Sequence, residues 1–180
     1  MKRCLIVVDF QNDFISGVLG FEKAEKLIPL IAEKIKEYRK SGDDIIFTLD
    51  THGEDYMSTH EGRHLPLPHC IKGTEGHTIH SEIEKLRMPS DAVFEKCTFG
   101  SDRLFDYMRE NPYECIELCG LVSNICVLSN AVLCRTAQPR TLVTIDACCT
   151  ASADAELHKA ALKVLKGIHV NITNEQEIDA

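Results

Sequence analysis

The chain has 180 residues, 44% of them apolar and 27% charged, which suits one domain over 1–180 with a sizeable core and excludes a disordered segment. Twenty Lys and Arg against twenty-eight Asp and Glu give a net charge of −8, which argues against a nucleic-acid partner. Apolar runs such as Cys4–Val8 fall far short of the ~18 residues of a membrane span, and Asp9 ends that first run too early for a signal peptide, so a soluble cytoplasmic protein is expected.

In chain order, apolar runs alternate with helical patterns. Strands are predicted at Cys4–Val8, Asp44–Leu49, Ala92–Glu95, Glu114–Cys119, Thr141–Ile145 and His169–Thr173. Most are nearly continuous in Val, Ile and Leu, as strands covered on both faces should be. The helix predicted over Leu27–Lys40 puts Leu27, Ile28, Ile31, Ile35 and Tyr38 on one face, with Pro29 in its first turn. Further helices are predicted at His80–Leu86, Asp102–Glu110, Asn124–Ala137 and Ser152–Leu165, the last closed by Gly167. Strand alternating with helix implies an α/β, doubly wound parallel sheet.

Asp50 to His77 breaks the rhythm. Six of the eight histidines, His52, His60, His64, His69, His77 and His80, fall in or just beyond this aperiodic stretch. A loop of that length inside a compact domain is usually functional or disordered, and its ligand-type residues favour function. The nine cysteines are an odd count without a Cys-x-x-Cys pair. That fits reduced, mostly buried thiols better than a disulfide framework, and it removes the resolving partner a thiol redox protein needs.

In an open parallel sheet, ligands bind beyond the carboxyl ends of the strands. Asp9 follows the first run, Asp50 and His52 the second, Lys96 the third, and the turn Gly120–Cys126 the fourth. Each has an ordinary reading taken singly: Asp9 as a turn residue, Lys96 as a solvated lysine, Cys126 as a core thiol. Together they would place a carboxylate, an ammonium, a thiol and a metal-type pair on one edge.

From Leu5 to about Thr150 the chain resembles the isochorismatase-like cysteine hydrolases, and within them the nicotinamidase/pyrazinamidase branch. The resemblance is carried by Leu5-Ile6-Val7-Val8-Asp9-Phe10-Gln11-Asn12-Asp13-Phe14, by Phe94-Glu95-Lys96, and by the turn from Gly120 to Cys126. It implies a three-layer fold, with helices flanking a six-stranded parallel sheet, and an Asp9–Lys96–Cys126 triad. It also implies an oxyanion hole from the Val122 and Cys126 backbone N–H groups, a cis Leu121–Val122 peptide, and a homo-oligomer. Chemically, a helix N-terminus and the Lys96 ammonium would both favour a thiolate at Cys126, with Asp9 as general base and then acid.

The metal-bearing relatives' motifs resemble Asp50-Thr51-His52 and Pro68-His69-Cys70, with Glu61 as a further contact and His60 as its substitute. This implies one divalent ion, zinc first, with iron and manganese open. Phe14 matches a pocket aromatic and Phe99 offers a second, whereas Leu65-Pro66-Leu67-Pro68 replaces the aromatic residue many relatives carry. The activity implied is hydrolysis of a small amide, nicotinamide first. A hydrolase of ureido or carbamoyl amides and a non-catalytic metabolite-binding relative are the rivals.

Overall fold

The computed structural model describes residues 2–175. Six parallel strands, β1 (Arg3–Val8), β2 (Asp44–Asp50), β3 (Ala92–Lys96), β4 (Cys115–Leu121), β5 (Leu142–Ala151) and β6 (Asn171–Thr173), form one sheet in the order β3-β2-β1-β4-β5-β6. The order reverses between β1 and β4, so the crevice for a ligand lies beyond the carboxyl ends of those two strands.

The alternation within β1 explains both cores. Leu5 and Val7 pack with Ile31, Ile35 and Tyr38 of α2 (Glu22–Lys40) on one face. Cys4, Ile6 and Val8 pack on the other with Leu104 and Met108 of α5 (Asp102–Glu110), Ala131 and Cys134 of α6 (Leu128–Ala137), and Leu162 and Leu165 of α7 (Ala155–Gly167). A strand buried on both sides shows a continuous apolar run in place of alternation. The α/β class and the six-stranded parallel sheet are as expected.

Several boundaries differ from the sequence reading. Helix α2 starts at Glu22, not Leu27, so Pro29 lies inside it. Its first turn buries only Ala24 and carries an exposed Glu22–Lys26 ion pair, which leaves little apolar period to detect. Strand β5 runs on to Ala151 through Asp146, Ala147 and Cys148, residues that interrupt the apolar run. Strand β6 begins only at Asn171, since His169 turns left-handed at φ 65°. The helix expected from Asn124 begins as one wide, π-type turn, Ser123–Val127, before α6. Helix α7 starts at Ala155, where the Asp154 side chain caps the Glu156 and Leu157 N–H groups, and runs through Gly167.

The aperiodic stretch is ordered by short pieces, a 3₁₀ turn (Tyr56–Ser58) and α3 (His60–His64), and α4 (Ser81–Glu84) after it is shorter than expected. It docks against the segment after β1, which forms α1 (Asn12–Ile15). Gln11 bridges to Ile79, and the Asn12 side chain donates to the Glu75 carbonyl and Thr78 hydroxyl. The Asp13 carboxylate accepts from the Cys70 N–H at 2.7 Å.

Candidate active site

Parallel register brings the strand ends level. Val8 pairs with Thr48 and with Gly120, and Asp50 pairs with Lys96. Gly120, at φ 108°, permits this closeness, because a Cβ there would stand 2.1 Å from the Val8 carbonyl oxygen. Asp9 follows β1 in the left-handed region at φ 44°, a conformation that costs a non-glycine residue about 1–3 kcal/mol and that clusters at functional sites. Its buried carboxylate accepts from the Thr48 hydroxyl at 2.6 Å, and its other oxygen lies 2.6 Å from the Lys96 ammonium.

Lys96 Nζ also lies 3.6 Å from Cys126 Sγ and 3.3 Å from Asp50 Oδ1. The structure therefore brings Asp9, Lys96 and Cys126 together. Cys126 sits within the π-type turn, the kind of local widening that recurs at functional sites. The Leu121–Val122 peptide before that turn is cis, as the resemblance implies.

Opposing influences act on the triad. Burial, and then the neighbouring Asp9 charge, push the Cys126 thiol well above its ordinary value, and Lys96 only partly opposes them. Burial likewise raises Asp9 despite Lys96. Burial disfavours charge on Lys96, but Asp9, Cys126 and Asp50 outweigh it and keep the ammonium.

Asp50, His52, Glu61 and His69 form a second group with one donor atom each, all within 4.8 Å of one another. Asp50 Oδ2 faces His52 Nε2 at 3.0 Å and His69 Nε2 at 3.3 Å. His69 Nδ1 donates to the Leu67 carbonyl at 2.8 Å, an orientation that leaves Nε2 to present a lone pair. Burial and the facing Asp50 raise the Glu61 pKa, a like-charge conflict that a cation would relieve. Two imidazoles and two carboxylates suit zinc, and equally iron or manganese.

Glu61 is placed here by its short helix, where a Cβ on Gly62 would meet the Tyr56 carbonyl oxygen at 2.1 Å. Its substitute His60 lies outside the group, exposed, with its ring tilted 44° to that of His64 at a centroid distance of 4.4 Å. Phe14 is buried edge-on against His69, and Phe99 stands 44% exposed on a cavity of about 740 Å³ that His52, Glu61, Leu65 and Ile125 also line.

Sequence reasoning missed three supports. Gln11, fully buried, donates to the Asp50 and His77 carbonyls and accepts from the Asp50 N–H. Tyr56 packs edge-on against both His52 and His69. Asn130 bonds the Cys126 carbonyl. The polar cluster Gln11-Asn12-Asp13 directly after a buried strand was the available signal for the first, since such side chains are seldom buried without partners.

Among the described residues, no helix is long and apolar enough to cross a membrane. A Bacillus subtilis protein described as the uncharacterized isochorismatase family protein PncA is 32% identical over 143 residues, 73% of this chain and 78% of its own. The nicotinamidase/pyrazinamidase of Mycobacterium tuberculosis is 26% identical over 189 residues, covering 94% of this chain and 97% of its own. The crystal structure of nicotinamidase PncA from Bacillus subtilis superposes with a TM-score of 0.84 at 28% identity, over 96% of this chain and 99% of that one. The family model described as Isochorismatase domain matches residues 3–177, and the chain belongs to the isochorismatase family.

Proposed function

We propose that this protein is a cysteine hydrolase acting on amides, a nicotinamidase that converts nicotinamide and water to nicotinate and ammonia. One observation carries the reading: the Asp50 carboxylate is shared, with Oδ1 on Lys96 beside Cys126 and Oδ2 on His52 and His69. A carboxamide over the thiol therefore has its ring beside the metal-type cluster. The names of the relatives point the same way.

The chain's own groups supply each proton transfer. Asp9 accepts the Cys126 S–H proton as sulfur bonds to the carboxamide carbon, which suits a neutral resting thiol beside a carboxylate with raised proton affinity. Lys96 remains an ammonium and stabilises the sulfur as it becomes anionic. The Val122 and Cys126 backbone N–H groups receive the carbonyl oxygen as it gains charge. Protonated Asp9 then gives its proton to the departing nitrogen, releasing ammonia and leaving a thioester. Asp9 next takes one proton from the attacking water and returns it to sulfur as the C–S bond breaks, and the acid so formed loses the other water proton to solvent as it leaves as nicotinate. Asp50, His52, Glu61 and His69 would hold the divalent ion, which when bound supplies a Lewis-acidic anchor for the ring nitrogen.

The cavity wall favours an uncharged amide such as nicotinamide over those ureido or carbamoyl amides that carry a carboxylate. Among the described residues that line it, Asp55 and Glu61 are acidic and none is Lys or Arg, so the wall's own side chains set like charge against a substrate carboxylate. The test is steady-state hydrolysis of nicotinamide, scored as nicotinate, beside benzamide and a ureido acid. Nicotinamide should be preferred over benzamide by about 100-fold, the cost of losing orientation. Preference for the ureido acid would overturn the assignment.

A further inference from the structure

We infer that Asn130 is a positioning residue that clips the thiol-bearing turn to the loop carrying the cavity wall; this rests on the amidase reading above. Asn130 lies in α6, four residues beyond Cys126, and is fully buried. Its amide nitrogen donates to the Cys126 carbonyl at 2.8 Å and to the Phe99 carbonyl at 3.2 Å. Its amide oxygen accepts from the Ser101 N–H at 3.0 Å.

The loop it holds runs directly from Lys96 at the end of β3 to Ser101, whose hydroxyl caps α5 by accepting from the Leu104 N–H at 3.1 Å. Phe99 and Ile125, on opposite sides of the clip, both line the cavity. A single planar amide thus sets three things against one another: the Cys126 turn, the Phe99 wall and the start of α5. No hydroxyl can reproduce this, because the geometry needs two donated protons and one accepting oxygen in a fixed fork. Each partner is backbone, so the clip fixes main-chain position and not merely side-chain packing.

Two substitutions separate the halves of the clip. A threonine on a helix can donate to the carbonyl four residues back, as Thr136 does to Val132 at 2.8 Å on this same helix. Asn130→Thr should therefore keep the tie to Cys126 and lose the tie to Phe99 and Ser101. Asn130→Asp keeps the shape but aims a carboxylate oxygen at two carbonyls.

The experiment combines nicotinamide kinetics with iodoacetamide labelling of Cys126, resolved by mass spectrometry. For Asn130→Thr the expectation is a KM raised about tenfold, with kcat and the Cys126 labelling rate within about threefold of the unsubstituted protein. For Asn130→Asp it is a kcat lowered at least thirtyfold and an altered labelling rate. A simple packing defect would not split KM from kcat in this way. Unchanged KM in Asn130→Thr overturns the clip, and so does a fall in kcat alone. If Asn130→Asp does not fold, Asn130→Thr decides alone. If the unsubstituted protein fails to hydrolyse nicotinamide, the amidase reading falls; the clip is then judged by labelling, which must change in Asn130→Asp and hold in Asn130→Thr, and any other labelling result overturns it.

Discussion

Two lysines in the described structure each sit between two carboxylates, Lys96 buried and Lys34 half-buried, and only Lys96 stands at a reactive site. Lys34 of α2 reaches Glu117 on β4 at 2.6 Å and Asp146 on β5 at 2.9 Å. Lys96 reaches Asp9 at 2.6 Å and Asp50 at 3.3 Å. In both, burial opposes the ammonium and the carboxylates outweigh it. The contrast is in what remains unused. Around Lys34, Tyr38 donates to the second Glu117 oxygen at 2.6 Å, while Asn174 and the Cys148 N–H both satisfy Asp146. At Lys96, Asp9 Oδ2 meets the ammonium but has no well-aligned hydrogen-bond donor, and a thiol stands beside it. A perturbed, buried ion pair therefore does not identify a site; residual accepting capacity next to a nucleophile does.

The largest expected effect comes from the two thiols near these lysines. Cys126→Ala should lower nicotinamide turnover by about 10⁴-fold or more with folding intact, since no other group can form the acyl bond. Cys149 is also buried, its thiol pushed up to about 12 by burial and by Asp146, yet Cys149→Ala should cost only about 1 kcal/mol of stability and leave kcat unchanged. A Cys149 variant as inactive as the Cys126 variant, at equal Tm, would erase the distinction.

Replacing the lysines sharpens the comparison. Lys96→Met should cut kcat/KM by roughly 10²–10³-fold, because the developing sulfur anion loses the ammonium 3.6 Å away. It should also slow Cys126 alkylation at neutral pH, since the charge opposing burial is gone. Lys34→Met should leave turnover alone and cost about 3 kcal/mol of stability, leaving Glu117 and Asp146 without their shared partner. Denaturant titration beside kinetics on both variants gives the answer, and swapped phenotypes would refute the argument.

Much of this contrast could be seen in the sequence from one side only. Asp9, Lys96 and Cys126 end or follow apolar runs, so their shared edge followed from sheet topology alone. Glu61 and His69 needed more, because their distances from Asp50 are set by a loop whose short turns leave no hydrophobic period. The Lys34 network was invisible, since Lys34 is not among the residues of the predicted apolar face and Asp146 fell just beyond the predicted strand. Long-range pairing of a helix side chain with two strands leaves no local pattern. The balance at the thiol was half legible for a related reason: the Lys96 charge is readable in sequence, whereas burial, the larger influence, is not.

Metal removal should touch only the Lys96 side. Chelation, with loss of metal confirmed by elemental analysis, is expected to lower nicotinamide turnover about 100-fold through lost orientation. Tm should fall as well, since an ion held only by the folded chain stabilises it. Cys126 should still be alkylated. Unchanged turnover and Tm in the emptied protein would remove Asp50, His52, Glu61 and His69 from the substrate site.

The smallest expected effect lies on the Lys34 side and concerns acid. Burial disfavours charge on Asp146, but Lys34 and Asn174, with the Cys148 N–H, outweigh it and hold its pKa below the ordinary value. A folded pKa below the unfolded ~3.9 means that the contribution is complete above about pH 4 and is lost as pH falls through the folded value. Asp9 has the opposite sign: burial raises it, so its ionisation works against folding once pH exceeds its unfolded pKa. Asp146→Asn should therefore cost about 1–2 kcal/mol at pH 7 and much less near pH 3, where the native carboxyl is losing its charge. Urea unfolding at the two pH values measures this difference. An equal loss at both would mean that shape rather than charge holds Asp146 in place, and Lys34 and Lys96 would then differ in their electrostatics as well as in their surroundings.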